Sequence, residues 1–300
     1  MGTVLTATQT ASNIKRGLAV TPEGQLHYHV AGDGPPLVLL HATNLSSRSY
    51  LGLMPLLKGF RTYAVDLPGF GYSDPLEGTL DLRTFALCIV HFMDALGIDK
   101  AHLFGLHAGN KIGAVLAAGW PQRVTRFVLA GMTHSLISDQ PKRLASVPDY
   151  NSKLNKTRKA TNPGLQLKDW GALFSSLASI WWRPELVGKD AVSSVDLGQL
   201  EDEVLGLLHG RQGCATFYPA SWVLDVGETL KKVTTPTLVI EIATQREAHL
   251  GRQAPVIEKL MPNCRTVTVD MNITGTDLLY RHPGILARHI VEFLSEATHA

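Results

Sequence analysis

The chain has 300 residues, 45% of them hydrophobic, enough for one large domain or one domain carrying an insertion. A net charge of +2, with 18% charged residues and no prominent Lys/Arg run, leaves no basic field suited to nucleic acid. No apolar run reaches the ~18–20 residues that span a bilayer, and the start lacks the apolar core of a signal peptide. Three scattered cysteines, Cys88, Cys214 and Cys264, are odd in number and read as reduced thiols of a cytosolic protein.

Residues 1–14 read as a loose tail, although Met1 to Thr6 fits the short N-myristoylation pattern. Leu18-Ala19-Val20 and Leu26 to Val30 flank Thr21-Pro22-Glu23-Gly24, which predicts an antiparallel hairpin. Leu37 to Leu40 then runs apolar without interruption and ends at His41-Ala42-Thr43-Asn44. Continuous apolar strands mark a parallel sheet buried on both faces. Tyr63-Ala64-Val65-Asp66 is the next such strand, followed by a turn-rich loop through Pro75.

Leu82, Phe85, Ile89, Phe92, Met93 and Leu96 recur at helical spacing, with Gly97 as the C-cap. After them comes His102-Leu103-Phe104-Gly105-Leu106-His107-Ala108-Gly109, which reads as a strand, a tight Gly-x-His-x-Gly turn and the start of a helix. This is the sequence form of a nucleophile elbow, the strand-to-helix turn that lifts one side chain above a sheet. Arg126 to Gly131 is a further strand. The rhythm stops near His134, and 135–226 carries helical patches with many aromatics. Strands resume at Thr237 to Ile240 and Arg265 to Val269, and an amphipathic helix from Ile285 to Leu294 closes the chain. Strand alternating with helix predicts a doubly wound α/β sheet of mostly parallel strands. The core is expected from 15–134 and 227–300, with a helical cap inserted over 135–226.

The chain resembles the α/β-hydrolase superfamily, in particular the capped branch of epoxide hydrolases, dehalogenases and C–C bond hydrolases. The pieces that carry the resemblance are Leu39-Leu40-His41, Asp66-Leu67-Pro68-Gly69-Phe70-Gly71-Tyr72-Ser73-Asp74, the elbow, Pro236 to Ile240 and His282-Pro283. The resemblance implies an α/β-hydrolase fold and a nucleophile, an acid and a histidine in that chain order. The implied places fall at His107, Gln245 and Thr276, so all three members are replaced. His41-Ala42 stands where His-Gly is usual in the oxyanion loop.

His107 is therefore the leading candidate for chemistry. At a helix N-terminus the dipole disfavours a cation, so a neutral imidazole fit to exchange a proton is expected. A ring that merely plugs a dead site is the bland reading. His134 is a weaker catalytic candidate. Substrate contacts are expected from His41, Ala42, Asn44 and Ala108 at strand ends, where open α/β sheets bind ligands. Trp181 and Trp182, with other aromatics of the insertion, imply an apolar pocket or simply the core beneath it. Glu241, Glu247 and Asp277 are the carboxylates within reach of the vacant acid and histidine places.

No cofactor motif is present. A metal held by His41, His134 and His249 is a third reading, but no His-x-x-x-His pair supports it. The expected function is an enzyme acting on a small hydrophobic or aromatic carbonyl or hydroxyl compound. His107 would serve as general base or acid in a lyase, isomerase, cyclase or atypical hydrolase step. The alternative is a non-catalytic pseudo-hydrolase that binds a small apolar molecule.

Overall fold

The protein is represented by a computed structural model, which describes residues 13–43, 45–131, 194–243, 252–271 and 275–296. The opening hairpin pairs β1 (Lys15–Thr21) with β2 (Gly24–Ala31) in antiparallel register, closing at Thr21 opposite Gly24. It is the antiparallel edge of an eight-stranded sheet ordered β1-β2-β4-β3-β5-β6-β7-β8. From β4 onward the strands are parallel: β3 (Pro36–Leu40), β4 (Arg61–Val65), β5 (Ala101–Leu106), β6 (Val124–Ala130), β7 (Thr237–Ala243) and β8 (Cys264–Asp270).

Burial explains why the central strands read so clearly in the sequence. Every residue of β5 is buried, as are Leu37 to Leu40 of β3, so neither strand tolerates a polar alternation. β4 begins two residues before the apolar run, because Arg61 and Thr62 pair with Pro36 and Leu37 at the strand entrance.

Helices cover both faces. On one, α1 (Leu82–Ala95) and α2 (Ala108–Gly119) share a core with Val38, Leu40 and Leu103. Asp81 starts α1 by accepting the Thr84 N–H at 2.8 Å, and the stripe Phe85, Ile89, Phe92 faces inward. On the other face α8 (Pro283–Leu294) presents Leu286, Ile290 and Phe293 to Leu37, Leu39 and Phe104. Each large apolar side chain so buried contributes roughly 1.5–3 kcal/mol.

The described chain resumes after β6 with α3 (Ser194–His209), α4 (Arg211–Val223) and α5 (Val226–Lys231). α4 is fastened to the loops at the strand ends. Its Gly213 N–H donates to Gly69 O at 3.0 Å, Tyr218 Oη meets Thr43 Oγ1 at 2.8 Å, and Lys111 Nζ of α2 donates to Ser221 Oγ at 2.8 Å. Of the region 135–226, the described part holds the helices Ser194–His209 and Arg211–Val223, while 135–193 lies outside the described residues. Two short helices complete the fold, α6 (Ala254–Leu260) and α7 (Gly275–Arg281). No helix among the described residues is long and apolar enough to cross a membrane.

Candidate functional site at the strand-to-helix turn

β5 lies between β3 and β6, so the turn after it emerges at the middle of the sheet's carboxyl edge. His107 occupies that turn with φ 50° and ψ −101°, and it is the single non-glycine residue with positive φ among the described residues. Such a conformation costs about 1–3 kcal/mol in a residue with a Cβ. The flanking glycines are demanded by close approach. A Cβ on Gly109 would stand 2.1 Å from the Leu40 carbonyl oxygen, and one on Gly105 would stand 2.6 Å from the Gly109 carbonyl carbon.

Asn110 holds the strained turn against the next strand. Its Nδ2 donates to the carbonyls of Ala130 at 2.7 Å and Gly131 at 3.2 Å, while its Oδ1 accepts the Ala130 N–H at 3.2 Å. The side chain is 2% exposed, so these bonds form out of water. The sequence alone offered no reason to single out Asn110.

The His107 imidazole is half-buried and lies between two glycine backbones from distant parts of the chain. A Cβ on Gly131, just past β6, would come within 3.0 Å of its Cε1; one on Gly275, at the start of α7, would come within 2.6 Å of its Nε2. The next residue, Thr276, is fully buried, and its Oγ1 has no hydrogen-bond partner among the described residues. Two of the three places singled out in the sequence, 107 and 276, are therefore neighbours across the site. Gln245, the third, lies outside the described residues, as do His134, Asn44, Trp181, Trp182, Glu247 and His249.

His41 departs from expectation. It is fully buried; its Nδ1 donates to the Ala42 carbonyl at 2.7 Å and its Nε2 accepts the Leu67 N–H at 2.9 Å. Both ring nitrogens are thereby spent on the loops, and burial lowers the pKa so that the ring stays neutral. His41 orders the loops, and neither ring nitrogen is left to hold a polar ligand group or a metal. Among the described residues no group of three or more His, Cys, Asp or Glu side chains is placed to hold a metal ion. Ala42 follows His41 at the end of β3, and Ala108 is the first residue of α2, whose N–H has no partner within the helix. These two backbone positions end adjacent strands, β3 and β5.

Beside this turn lies a buried carboxylate hub. Asp66 Oδ2 accepts His27 Nδ1 at 2.9 Å and the Tyr72 N–H at 2.9 Å, and Oδ1 accepts the Ser47 N–H at 2.6 Å. Burial pushes its pKa up, but the bond from His27 and those from Tyr72 and Ser47 outweigh it and hold the carboxyl at about 2. His29 bonds Ser47 Oγ at 2.8 Å through Nδ1, and burial, then the neighbouring His27, lowers its pKa to about 4.

The candidate carboxylate partners are largely committed elsewhere. Glu241 accepts the N–H groups of Gln253 at 2.6 Å and Ala254 at 2.9 Å, so it caps the start of α6. It also meets Thr268 Oγ1 at 3.3 Å and Arg252 Nε at 3.4 Å. Asp277 Oδ1 accepts Gln199 Nε2 of α3 at 3.2 Å.

Comparison with known proteins fits this geometry. The family described as alpha/beta hydrolase fold matches residues 35–266. The chain belongs to that family. Among curated relatives, it is 29% identical over 132 residues to a pimeloyl-[acyl-carrier protein] methyl ester esterase of Shewanella sp. (strain MR-7), covering 43% of this chain and 48% of that protein. It is 33% identical over 135 residues to a 2-hydroxy-6-oxononadienedioate/2-hydroxy-6-oxononatrienedioate hydrolase of Klebsiella pneumoniae subsp. pneumoniae, covering 41% and 46%. The chain thus spans about half the length of these two relatives. The solved structure of a hydrolase from Pseudomonas aeruginosa PA01 superposes over 94% of this chain and 99% of its own, with a TM-score of 0.72 at 21% identity, which shows a shared fold.

Proposed function

We propose that this α/β-hydrolase-fold protein is an enzyme acting on a small hydrophobic or aromatic carbonyl or hydroxyl compound, with His107 transferring a proton and no serine nucleophile involved. The supporting observation is the placement of His107: a strained, half-buried imidazole at the elbow, flanked by Gly131 and Gly275. A strained backbone is retained where the surrounding structure enforces it, and such positions cluster at working sites. The degenerate places at Thr276 and Gln245 supply neither the base nor the orienting acid that a serine would need. In this reading the backbone at Ala42 and Ala108 receives developing negative charge on the substrate, and His107 exchanges a proton with a carbon or oxygen beside it. The reaction is of lyase, isomerase, cyclase or atypical hydrolase type. Relatives named as a methyl ester esterase and a 2-hydroxy-6-oxononadienedioate/2-hydroxy-6-oxononatrienedioate hydrolase support carbonyl chemistry in general.

The rival reading is a binder of a small apolar molecule that does no chemistry. What favours it is Thr276, a fully buried hydroxyl beside His107 that cannot act as a base near neutrality. Paired measurements separate the two. With a ligand found by screening aromatic ketones, esters and hydroxylated rings, His107→Ala keeps its binding constant but loses about 10²–10⁴-fold in turnover if the imidazole is a general acid–base. Unchanged turnover removes His107 from the chemistry. Absence of turnover by the native protein on every tightly bound ligand establishes the binder.

A further inference from the structure

α3 meets the core through a buried set of acids with little positive charge among them. Glu203 of α3 is 1% exposed. Its Oε1 accepts Gln199 Nε2 at 3.0 Å, and the same Nε2 reaches Asp277 Oδ1 on α7 at 3.2 Å. The other carboxyl oxygen, Oε2, is buried with no partner among the described residues. Asp202 is the next acid on α3. It is engaged by Arg48 Nε from the turn Ser47–Tyr50 at 2.9 Å and by Tyr280 Oη of α7 at 3.1 Å. Among the described residues, Asp277 and Asp202 bear directly on Glu203, Arg48 and Tyr280 lie beyond Asp202, and Arg281 stands on the last turn of α7. Arg48 already serves Asp202.

We infer that Glu203 is a proton-dependent latch: α3 stays seated on α7 while this carboxyl holds its proton, and loosens when it ionises. A buried carboxylate facing Asp277 and Asp202, with a single amide bond to support it, is unfavourable in the seated arrangement. Protonated, the carboxyl keeps the Gln199 bond and carries no charge to repel its neighbours. Burial, the first cause, and the nearby Asp277 and Asp202 accordingly push its pKa from 4.5 up to about 8 despite the Gln199 bond.

The direction of the effect follows from linkage. The seated form binds more protons than the released form, in which the carboxyl regains its ordinary value. Seating is thus fully stabilised below about pH 4.5, weakens as pH rises through the interval, and has lost this contribution above about 8. Because α7 begins at Gly275-Thr276, beside the His107 ring, the latch joins α3 to the wall of the candidate site. The inference does not depend on any chemistry at His107.

The test compares native protein with Glu203→Gln, which keeps the shape and cannot ionise. Hydrogen exchange of 194–209 is measured at a series of pH values, and the native rate is divided by the variant rate to cancel the intrinsic pH dependence. The ratio is expected to rise by up to about tenfold per pH unit toward pH 8 and then level off. In carboxyl-carbon NMR, native Glu203 titrates near pH 8, and Asp277→Asn moves that midpoint downward. A flat exchange ratio across the range overturns the latch. So does a Glu203 midpoint at the ordinary carboxylate value with α3 still protected. If Glu203→Gln fails to fold, the NMR midpoint of native protein and its response to Asp277→Asn decide alone.

Discussion

Asp66 and His107 stand just beyond the carboxyl ends of β4 and β5, the two strands that flank β3, and they handle strain and polarity in opposite ways. Asp66 is 1% exposed and its oxygens are met by His27, Ser47 and Tyr72. His107 is half-buried, carries an unfavourable backbone conformation, and has its ring pressed between glycines. A satisfied buried charge gives stability and fixes the loops, while a residue held in a strained backbone conformation costs stability and is kept where its side chain is put to use. The same edge of one sheet thus separates an anchor from a candidate working group.

Removing the anchor is expected to have the largest effect. Asp66→Ala strands the Ser47 and Tyr72 N–H groups and the His27 ring, and should lower unfolding free energy by about 3–5 kcal/mol in denaturant titration. The pH response has a definite sign. The Asp66 carboxyl, held at about 2 against an ordinary 3.8, contributes stability above about pH 3.8 that is lost as pH falls through 2, and Asp66→Ala should lack that acid limb. A variant as stable as the native protein would show that the hub is not an anchor.

Crowding the ring comes next. Gly275→Ala puts a methyl 2.6 Å from His107 Nε2, so the imidazole must move while α7 keeps an ordinary helical residue. Turnover should fall by about 10²-fold, the effect of an ångström-scale misplacement, with a small change in melting temperature. Native turnover in this variant would mean the ring position does not matter. The smallest effect has the opposite sign. His107→Gly relieves the φ of 50° and should raise stability by about 1 kcal/mol while abolishing proton transfer. A destabilised glycine variant would place the ring's packing above its strain.

Much of this was legible in the sequence, for identifiable reasons. The parallel strands were readable because burial on both faces removes polar residues from Leu37–Leu40 and from Leu103–Leu106. The elbow was readable because close backbone approach permits only glycine at Gly105 and Gly109, which leaves a spacing. The Asp66 hub was not, since His27 and Ser47 lie 39 and 19 residues away and no local period joins them. Nor was the role of Glu241, which lies within β7 and serves as a capping acid for α6. His41 looked available from its place after β3, and only the Leu67 and Ala42 bonds show that both nitrogens are taken. The flanking of His107 by Gly131 and Gly275 depends on strand order, which brings together segments 24 and 168 residues beyond the strand that carries the elbow (counted from His107).

The central claim is that the elbow works through an imidazole and without an acyl-enzyme serine. Intact-protein mass after treatment of the native protein with an organophosphonate serine-hydrolase probe tests it most directly. The account predicts an unchanged mass, since His107 stands at the nucleophile place. A stoichiometric adduct mapped to a serine of the pocket would contradict it.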